Sequence, residues 1–293
     1  MILFPNCKIN LGLNIVAKRS DGYHNIETIF LPIPLTDCLE LTPAHEDSFS
    51  IDGVELDCSA QDNLVVRVLN MLRAEDYDVP PVSIRLTKNI PSGAGLGGGS
   101  TDAAFMIKGL NELFHLGLTD EQMAAKVGRL GADCPVFIAN QPVYAEGKGE
   151  IFTELPVALV KKEFNVKCAA KEDTITLSIP SVLENYWLVL IKPNDFISTK
   201  EAYASVTPAP SKVSLKDIIT KPVKMWKGQM VNDFEKSVFP NHPVVSGICE
   251  QLYMLGATYA AMSGSGSTVY GLFRHEPILG DVFEDHFQWQ CKL

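Results

Sequence analysis

Residues 91–104 read PSGAGLGGGSTDAA, and the class of fold turns on this stretch. Five glycines fall in the seven positions from Gly93 to Gly99. Glycine is costly in chain entropy, so such a cluster points to special dihedral angles or to a close approach of backbone to a ligand. Before it, Val82 to Leu86 alternates apolar and polar as a strand does; after it, a helical pattern runs from about Ser100 to His115. A strand, a glycine loop and a helix in that order aim several backbone N–H groups at one place, where the helix dipole adds partial positive charge. A polyphosphate is the natural guest. Pro91, Ser92, Gly93, Ala94, Gly95, Leu96, Gly97, Gly98 and Gly99 form the cradle. Ser100 and Thr101 bring hydroxyls to a phosphate, and Ser100 could also reach a phosphate-bound Mg²⁺.

Three other readings of the loop compete. Gly93, Gly95 and Gly98 spell G-x-G-x-x-G, the dinucleotide fingerprint. The next element, however, is a second helix opening at Thr119 with the capping box Thr119-x-x-Gln122, not a parallel strand ending in an acidic residue. A Walker A loop needs Lys before Ser or Thr, and here Gly99 precedes Ser100. A flexible linker is seldom bracketed so closely by patterned elements.

Outward from the loop, KINLGLNIV (8–16) alternates as a half-buried strand, Asp21-Gly22 marks a turn, and residues 27–41 hold strand-like runs broken by Pro32 and Pro34. Asp62 is the expected cap of a helix through Leu72. The first half closes near Gly149. Beyond it the pattern predicts a strand over 186–192, helices over 199–205, 229–239 and 243–255, and two strands, 259–262 and 268–273, around a Ser/Gly turn. Residues 156–181 fit either a hairpin or a surface insertion.

The 293 residues suit two domains, and 46% hydrophobic with 20% charged residues is ordinary for a folded protein. A net charge of −10 argues against nucleic acid as a partner, because phosphate-backbone binding usually shows a basic face. No apolar run is long enough for a membrane span, and Asn6, Lys8, Asn10 and Asn14 interrupt any signal-peptide core. Seven cysteines, an odd number without a C-x-x-C pair, fit reduced thiols in a cytoplasmic protein.

The loop resembles the phosphate loop of the GHMP kinases. Three further segments extend the likeness over nearly the whole chain: KINLGLNIVAKRSDGYH (8–24), GADCPVF (131–137) and MSGSGSTVYGLF (262–273). DGYH together with GADCPVF is similar to the branch of that family whose acceptor is a cytidine-diphosphate-linked methylerythritol (CDP-methylerythritol). The resemblance implies a two-domain α/β (α+β) fold. An N-terminal ribosomal-protein-S5-like domain would span 1–152 and a C-terminal ferredoxin-like domain 153–293. It implies ATP and Mg²⁺ as cofactors and phosphorylation of the acceptor's 2-hydroxyl in the non-mevalonate route to isoprenoid precursors. It leaves a monomer or a homodimer open.

On the family pattern, Asp133 matches the general base and Lys8 the catalytic lysine that keeps it ionised. Asn10 matches a substrate contact. Tyr23 and His24 match the pair that grips cytosine, with Tyr203 across the base and Thr199 beside it; Lys148 falls where backbone groups read the base. Lys88 and Asn63 match nucleotide-side positions. Each has a plainer alternative: a surface ion pair for Lys8 and Asp133, a turn end for His24, a half-buried aromatic for Tyr23, a helix-face residue for Tyr203, and a solvated strand-end lysine for Lys88. Thr101 stands where the family commonly has a second serine, and it keeps the hydroxyl. Cys7 and Cys134 flank the candidate catalytic residues and read as packing groups. The rivals are another GHMP kinase, such as a homoserine or mevalonate type, a non-catalytic ATP-binding protein, and an oxidoreductase built on the G-x-G-x-x-G decoy.

Overall fold

A computed structural model describes the chain except residues 55–58 and 169–170, so Cys58 lies outside the described residues. The first half comprises β1 (Ile2–Leu3), β2 (Asn6–Lys18), β3 (His24–Thr36), β4 (Cys38–Pro43), β5 (Ser48–Gly53), α1 (Leu64–Ala74), β6 (Val82–Lys88), α2 (Gly98–Leu113), α3 (Asp120–Gly128), α4 (Val136–Ala139), β7 (Val143–Glu146) and β8 (Ile151–Thr153). The second comprises β9 (Leu159–Cys168), β10 (Lys171–Pro180), β11 (Trp187–Lys192), α5 (Thr199–Ala204), α6 (Leu215–Ile219), α7 (Glu235–Val238), α8 (Pro243–Met254), β12 (Tyr259–Met262), β13 (Val269–Phe273) and β14 (Phe287–Lys292).

Two four-stranded sheets form in the first half, ordered β1-β4-β6-β5 and β2-β3-β7-β8. The apolar faces of α1 and α2 close one core with Leu39, Leu41, Ile84 and Leu86. The second half forms an antiparallel sheet ordered β12-β13-β11-β14, which is the ferredoxin-like arrangement with its last helix reduced to a short 3₁₀ turn, Gly280–Phe283. The alternation read in residues 8–16 has a direct consequence here. Cys7, Ile9 and Leu11 point into a core shared with Leu188, Tyr259 and Tyr270. Lys8 and Asn10, one residue out of phase, point to the other face.

Several expectations are corrected. β3 runs unbroken through Pro32 and Pro34 because its partner β7 pairs only with Thr28, Ile29 and Phe30, leaving the prolines where no ladder bond is required on that side. Asn63, not Asp62, caps α1, accepting a hydrogen bond from the Val65 N–H at 3.0 Å. The helix expected over 229–239 shrinks to Glu235–Val238. Its first residues instead bond across to β2: Leu13 N–H donates to Val231 O, and Asp233 N–H donates to Leu13 O, both at 2.8 Å. Residues 156–181 contain an antiparallel hairpin, β9–β10, which contacts β3. A disulfide from Cys168 to Cys38, with 5.7 Å between Cα atoms, ties the hairpin to β4, so the reading of uniformly reduced thiols is overturned at this pair. The pairing spans 130 residues, a separation over which spacing carries no signal.

Candidate active site

The glycine loop leaves β6 and enters α2 through Gly97, whose φ of +73° is left-handed and which offers no side chain to cap the helix. The first-turn amides of α2 are therefore presented to a guest. Gly95 is the tightest point. Its φ is +71°, and a Cβ there would lie 2.1 Å from the carbonyl oxygen of Ser263 in the Ser/Gly turn that joins β12 to β13. The turn at 263–267 thus abuts the loop directly. Ser263 Oγ donates to Gly95 O at 3.0 Å, and Thr268 N–H donates to Ala94 O at 3.3 Å.

Lys8 also reaches the carbonyl of Gly95. Its ammonium is 3% exposed and donates to Asn10 Oδ1 at 2.7 Å and to Gly95 O at 3.0 Å, with Asp133 Oδ2 3.4 Å away. Asn10 is held in turn, its amide donating to Thr28 Oγ1 at 2.9 Å while the Thr28 hydroxyl donates to Gly12 O at 2.6 Å. Asp133 precedes Pro135 and α4 and keeps 36% of its side chain exposed, so one side of its carboxylate stays open beside the Lys8 ammonium. Lys8 and Asp133 are 125 positions apart in sequence and meet only through the fold. Beside them, burial pushes the thiol of Cys134 up to about 11 and that of Cys7 well above its ordinary value, in keeping with packing groups.

Lys88 departs from expectation. It is 3% exposed, and its ammonium donates to Asp37 and, at 2.6 Å, to Asp102 Oδ2. Its charge is engaged by these two carboxylates beside the start of α2, 3.4 Å from where a Cβ of Gly98 would stand. Asp37 also accepts the N–H groups of Asn89 at 2.6 Å and Ile90 at 2.8 Å, fixing the chain as it enters the loop. Burial among these charges pushes the Asp102 carboxyl up to about 8. Thr101 is wholly buried, and among the described residues neither its Oγ1 nor Asp102 Oδ1 has a hydrogen-bond partner. Asn63 spends its side-chain oxygen on the α1 cap.

The aromatic group assembles in part. His24 and Tyr203 stack with ring centroids 4.6 Å apart and planes within 15°, and Phe234 meets Tyr203 edge-on at 4.8 Å. Tyr23 is 62% exposed under the ammonium of Lys148, 4.8 Å from its ring centroid. Thr199 opens α5 at the surface. Residues unforeseen from sequence complete the frame. Asn232 is 2% exposed and donates to both Met262 O and Gly264 O at 2.8 Å, clamping the Ser/Gly turn to the segment bonded to β2. The signal was available only as a polar pair, Asn232-Asp233, inside an apparently helical stretch.

A glycine nest at a helix N-terminus, with a lysine–aspartate pair at its side, defines an ATP-dependent phosphotransferase of the GHMP type. The family models for the GHMP kinases N terminal domain and the GHMP kinases C terminal region match residues 63–141 and 219–284. The chain is 47% identical to a 4-diphosphocytidyl-2-C-methyl-D-erythritol kinase of Parabacteroides distasonis, with all of both chains covered. It is 48% identical to that of Bacteroides fragilis, again over the whole of both. A crystal structure of 4-(cytidine 5'-diphospho)-2C-methyl-D-erythritol kinase superposes with a TM-score of 0.73 at 28% identity, covering 93% of this chain and 90% of that one. The mevalonate kinase of Methanococcus jannaschii, at 16% identity and a TM-score of 0.60 over 100% of this chain and 98% of its own, shares the fold. The chain belongs to the 4-diphosphocytidyl-2-C-methyl-D-erythritol kinase family of the GHMP kinases.

Proposed function

We propose that the protein transfers the γ-phosphoryl group of ATP to the 2-hydroxyl of 4-diphosphocytidyl-2-C-methyl-D-erythritol, releasing ADP, in the non-mevalonate route to isoprenoid precursors. The observation that carries this is the approach of Lys8 to Asp133 at 3.4 Å beside Gly95 of the glycine loop. Asp133 accepts the proton of the acceptor hydroxyl as its oxygen bonds to the γ-phosphorus and the bridging bond to ADP breaks. Lys8 sets a positive charge beside that carboxylate and stabilises charge on the transferring oxygens. The loop from Pro91 to Ser100 supplies backbone N–H groups to the phosphates. Thr101, buried beneath, supports the first turn of α2.

Ser100 lies in that first turn, its hydroxyl 3.7 Å from where a Cβ of Gly131 would stand, so it shares the cleft wall with Asp133. A hydroxyl oxygen suits a hard cation, and Ser100 would help hold Mg²⁺, which offsets charge on the phosphates when bound. For the acceptor, the flat face of Tyr203 now covered by His24 is where cytosine stacks, with His24 moving to the base edge and Tyr23 and Lys148 closing the other side. Residues 1–152 carry the ATP site and the catalytic pair; residues 153–293 carry the Ser/Gly turn and the Tyr203 wall. No helix among the described residues is long and apolar enough to cross a membrane.

The test is ADP release with Mg-ATP and the cytidine-diphosphate acceptor, against mevalonate, homoserine and galactose. Turnover with the first alone is expected. Turnover with another acceptor in its place would remove Tyr23, His24 and Tyr203 from a cytosine site. Asp133→Asn should abolish turnover and spare ATP binding.

A further inference from the structure

His242 stands just before α8, outside the candidate catalytic group, and its ring is flanked on both sides by carboxylates. Nδ1 lies 3.2 Å from Asp195 Oδ2, and Nε2 lies 2.9 Å from Glu201 Oε1. A neutral imidazole has a single N–H donor, so one of its nitrogens would present a lone pair to a carboxylate oxygen. Only the imidazolium donates to both.

The two carboxylates belong to the segment that lines the cleft from the second half. Asp195 follows β11, and its carbonyl accepts a hydrogen bond from Ser267 Oγ at 2.6 Å in the Ser/Gly turn. Glu201 sits in α5, two residues before Tyr203, and its N–H is capped by Ser198 Oγ at 3.1 Å. Between them, Phe196 lays its ring over Gly93 of the phosphate loop: a Cβ there would come within 2.8 Å of the ring. His242 therefore grips both ends of a short span that touches the phosphate loop at one residue and the aromatic stack at another.

We propose that protonated His242 is a positioning residue that latches residues 195–203 onto α8 and thereby sets the affinity of the site for its acceptor. The inference rests on the reading of Tyr203 as a wall of that site. Its test is built so that the latch and that reading can fail separately.

The charged groups facing the latch are Asp195 from the connection after β11, Glu201 from α5, and Lys192 of β11, which feels the charge of Asp195. The positive end of α8 opposes the imidazolium. The carboxylates win, with the hydrogen bond to Glu201 the largest cause, and hold the ring above the ordinary histidine value of 6.5. A raised folded-state value means that the latch is fully present below 6.5 and is lost as pH climbs through the raised value.

The experiment compares the wild type with His242→Gln and Glu201→Gln between about pH 6 and 9, where histidine changes charge. It records the KM for the acceptor and kcat. It also records amide exchange protection of residues 195–203 in the protein without acceptor, corrected for intrinsic exchange rates. In the wild type the acceptor KM should rise about three- to tenfold over this range, the scale of one or two partly exposed charged contacts, with a smaller change in kcat. Protection of the segment should fall in parallel. His242→Gln should show the high KM and low protection already at the acid end, with neither depending on pH. In Glu201→Gln a neutral imidazole can donate to Asp195 and accept from the new amide, so the pH dependence should flatten while the acid-end KM stays near that of the wild type. Wild-type KM and protection profiles in both variants would overturn the proposal. If the wild type fails to turn over this acceptor, the acceptor reading falls, and the exchange arm decides the latch by the same comparison. If His242→Gln does not fold, Glu201→Gln decides it.

Discussion

Replacing Gly95 by alanine tests the idea that the close approach of the glycine loop to the Ser/Gly turn sets the geometry around Lys8. Alanine at a φ of +71° costs roughly 1–2 kcal/mol in left-handed strain. Its Cβ would lie 2.1 Å from Ser263 O, more than 1 Å short of ordinary contact, and Ser263 C at 3.0 Å and Gly266 N at 3.2 Å leave it no easy escape. Backbone stands on both sides, so the loop and the Ser/Gly turn must part. The bonds from Lys8 Nζ and Ser263 Oγ to Gly95 O, both 3.0 Å, then stretch beyond hydrogen-bonding range. Losing the charged one leaves a buried ammonium short of an acceptor, a further cost of about 1.5–3 kcal/mol. A displacement of this size at the reacting centre lowers kcat by about 100-fold. The assay is ADP release under saturating substrates, paired with urea unfolding. Gly117→Ala is the control: its φ is also +71°, nothing lies within 4 Å of the added Cβ, and it should pay the strain and keep its activity. Wild-type kcat in Gly95→Ala, or an equal loss in Gly117→Ala, would refute the reasoning.

Four further outcomes follow from the structure. Lys8→Met leaves Asn10 Oδ1 without the ammonium donor and Gly95 O with only the Ser263 hydroxyl, and kcat should drop about 10²–10³-fold while acceptor and ATP still bind, as equilibrium titration would show. Asp37→Ala removes a carboxylate that holds Lys88 and two backbone N–H groups, and should cost about 3–5 kcal/mol in denaturant unfolding. Asp102→Asn keeps an acceptor for Lys88, and because burial raises the native carboxyl above the ordinary carboxylate value it should cost less than Asp37→Ala at neutral pH; equal losses in the two variants would overturn the separate roles. Reducing the Cys38–Cys168 bond should lower stability by about 2–4 kcal/mol, seen as a urea midpoint that shifts with dithiothreitol in the wild type and not in Cys38→Ser; coincident midpoints in the wild type would count against a formed bond.

Local elements were largely legible in the chain. Period-2 alternation in β2 and β6, the capping box at Thr119, the strands around 263–267 and the glycine loop before α2 all appear where the pattern places them, because backbone geometry and nearest-neighbour chemistry determine them. Misreadings occurred where a distant partner decided the outcome. Residues 229–234 have helical spacing, yet their backbone satisfies more by bonding to Leu13 than by continuing a helix. Pro32 and Pro34 look like breaks only until the extent of β7 is known.

The same division holds for the site. By itself the sequence determined a glycine loop between a strand and a helix, since five glycines so placed have a local physical meaning, and it marked Lys8, Asn10 and Asp133 through their resemblance to family motifs. Only the tertiary structure decided what each charge does. Lys88 was indistinguishable from a phosphate ligand until Asp37 and Asp102 were found on either side of it. His242 carried no signal until two carboxylates met its ring. The Cys38–Cys168 bond could not be foreseen from an odd count of thiols. Coulomb energy and hydrogen bonding depend on separations of a few ångströms, and such separations between residues far apart in the chain are set by packing, which residue order alone does not encode in readable form.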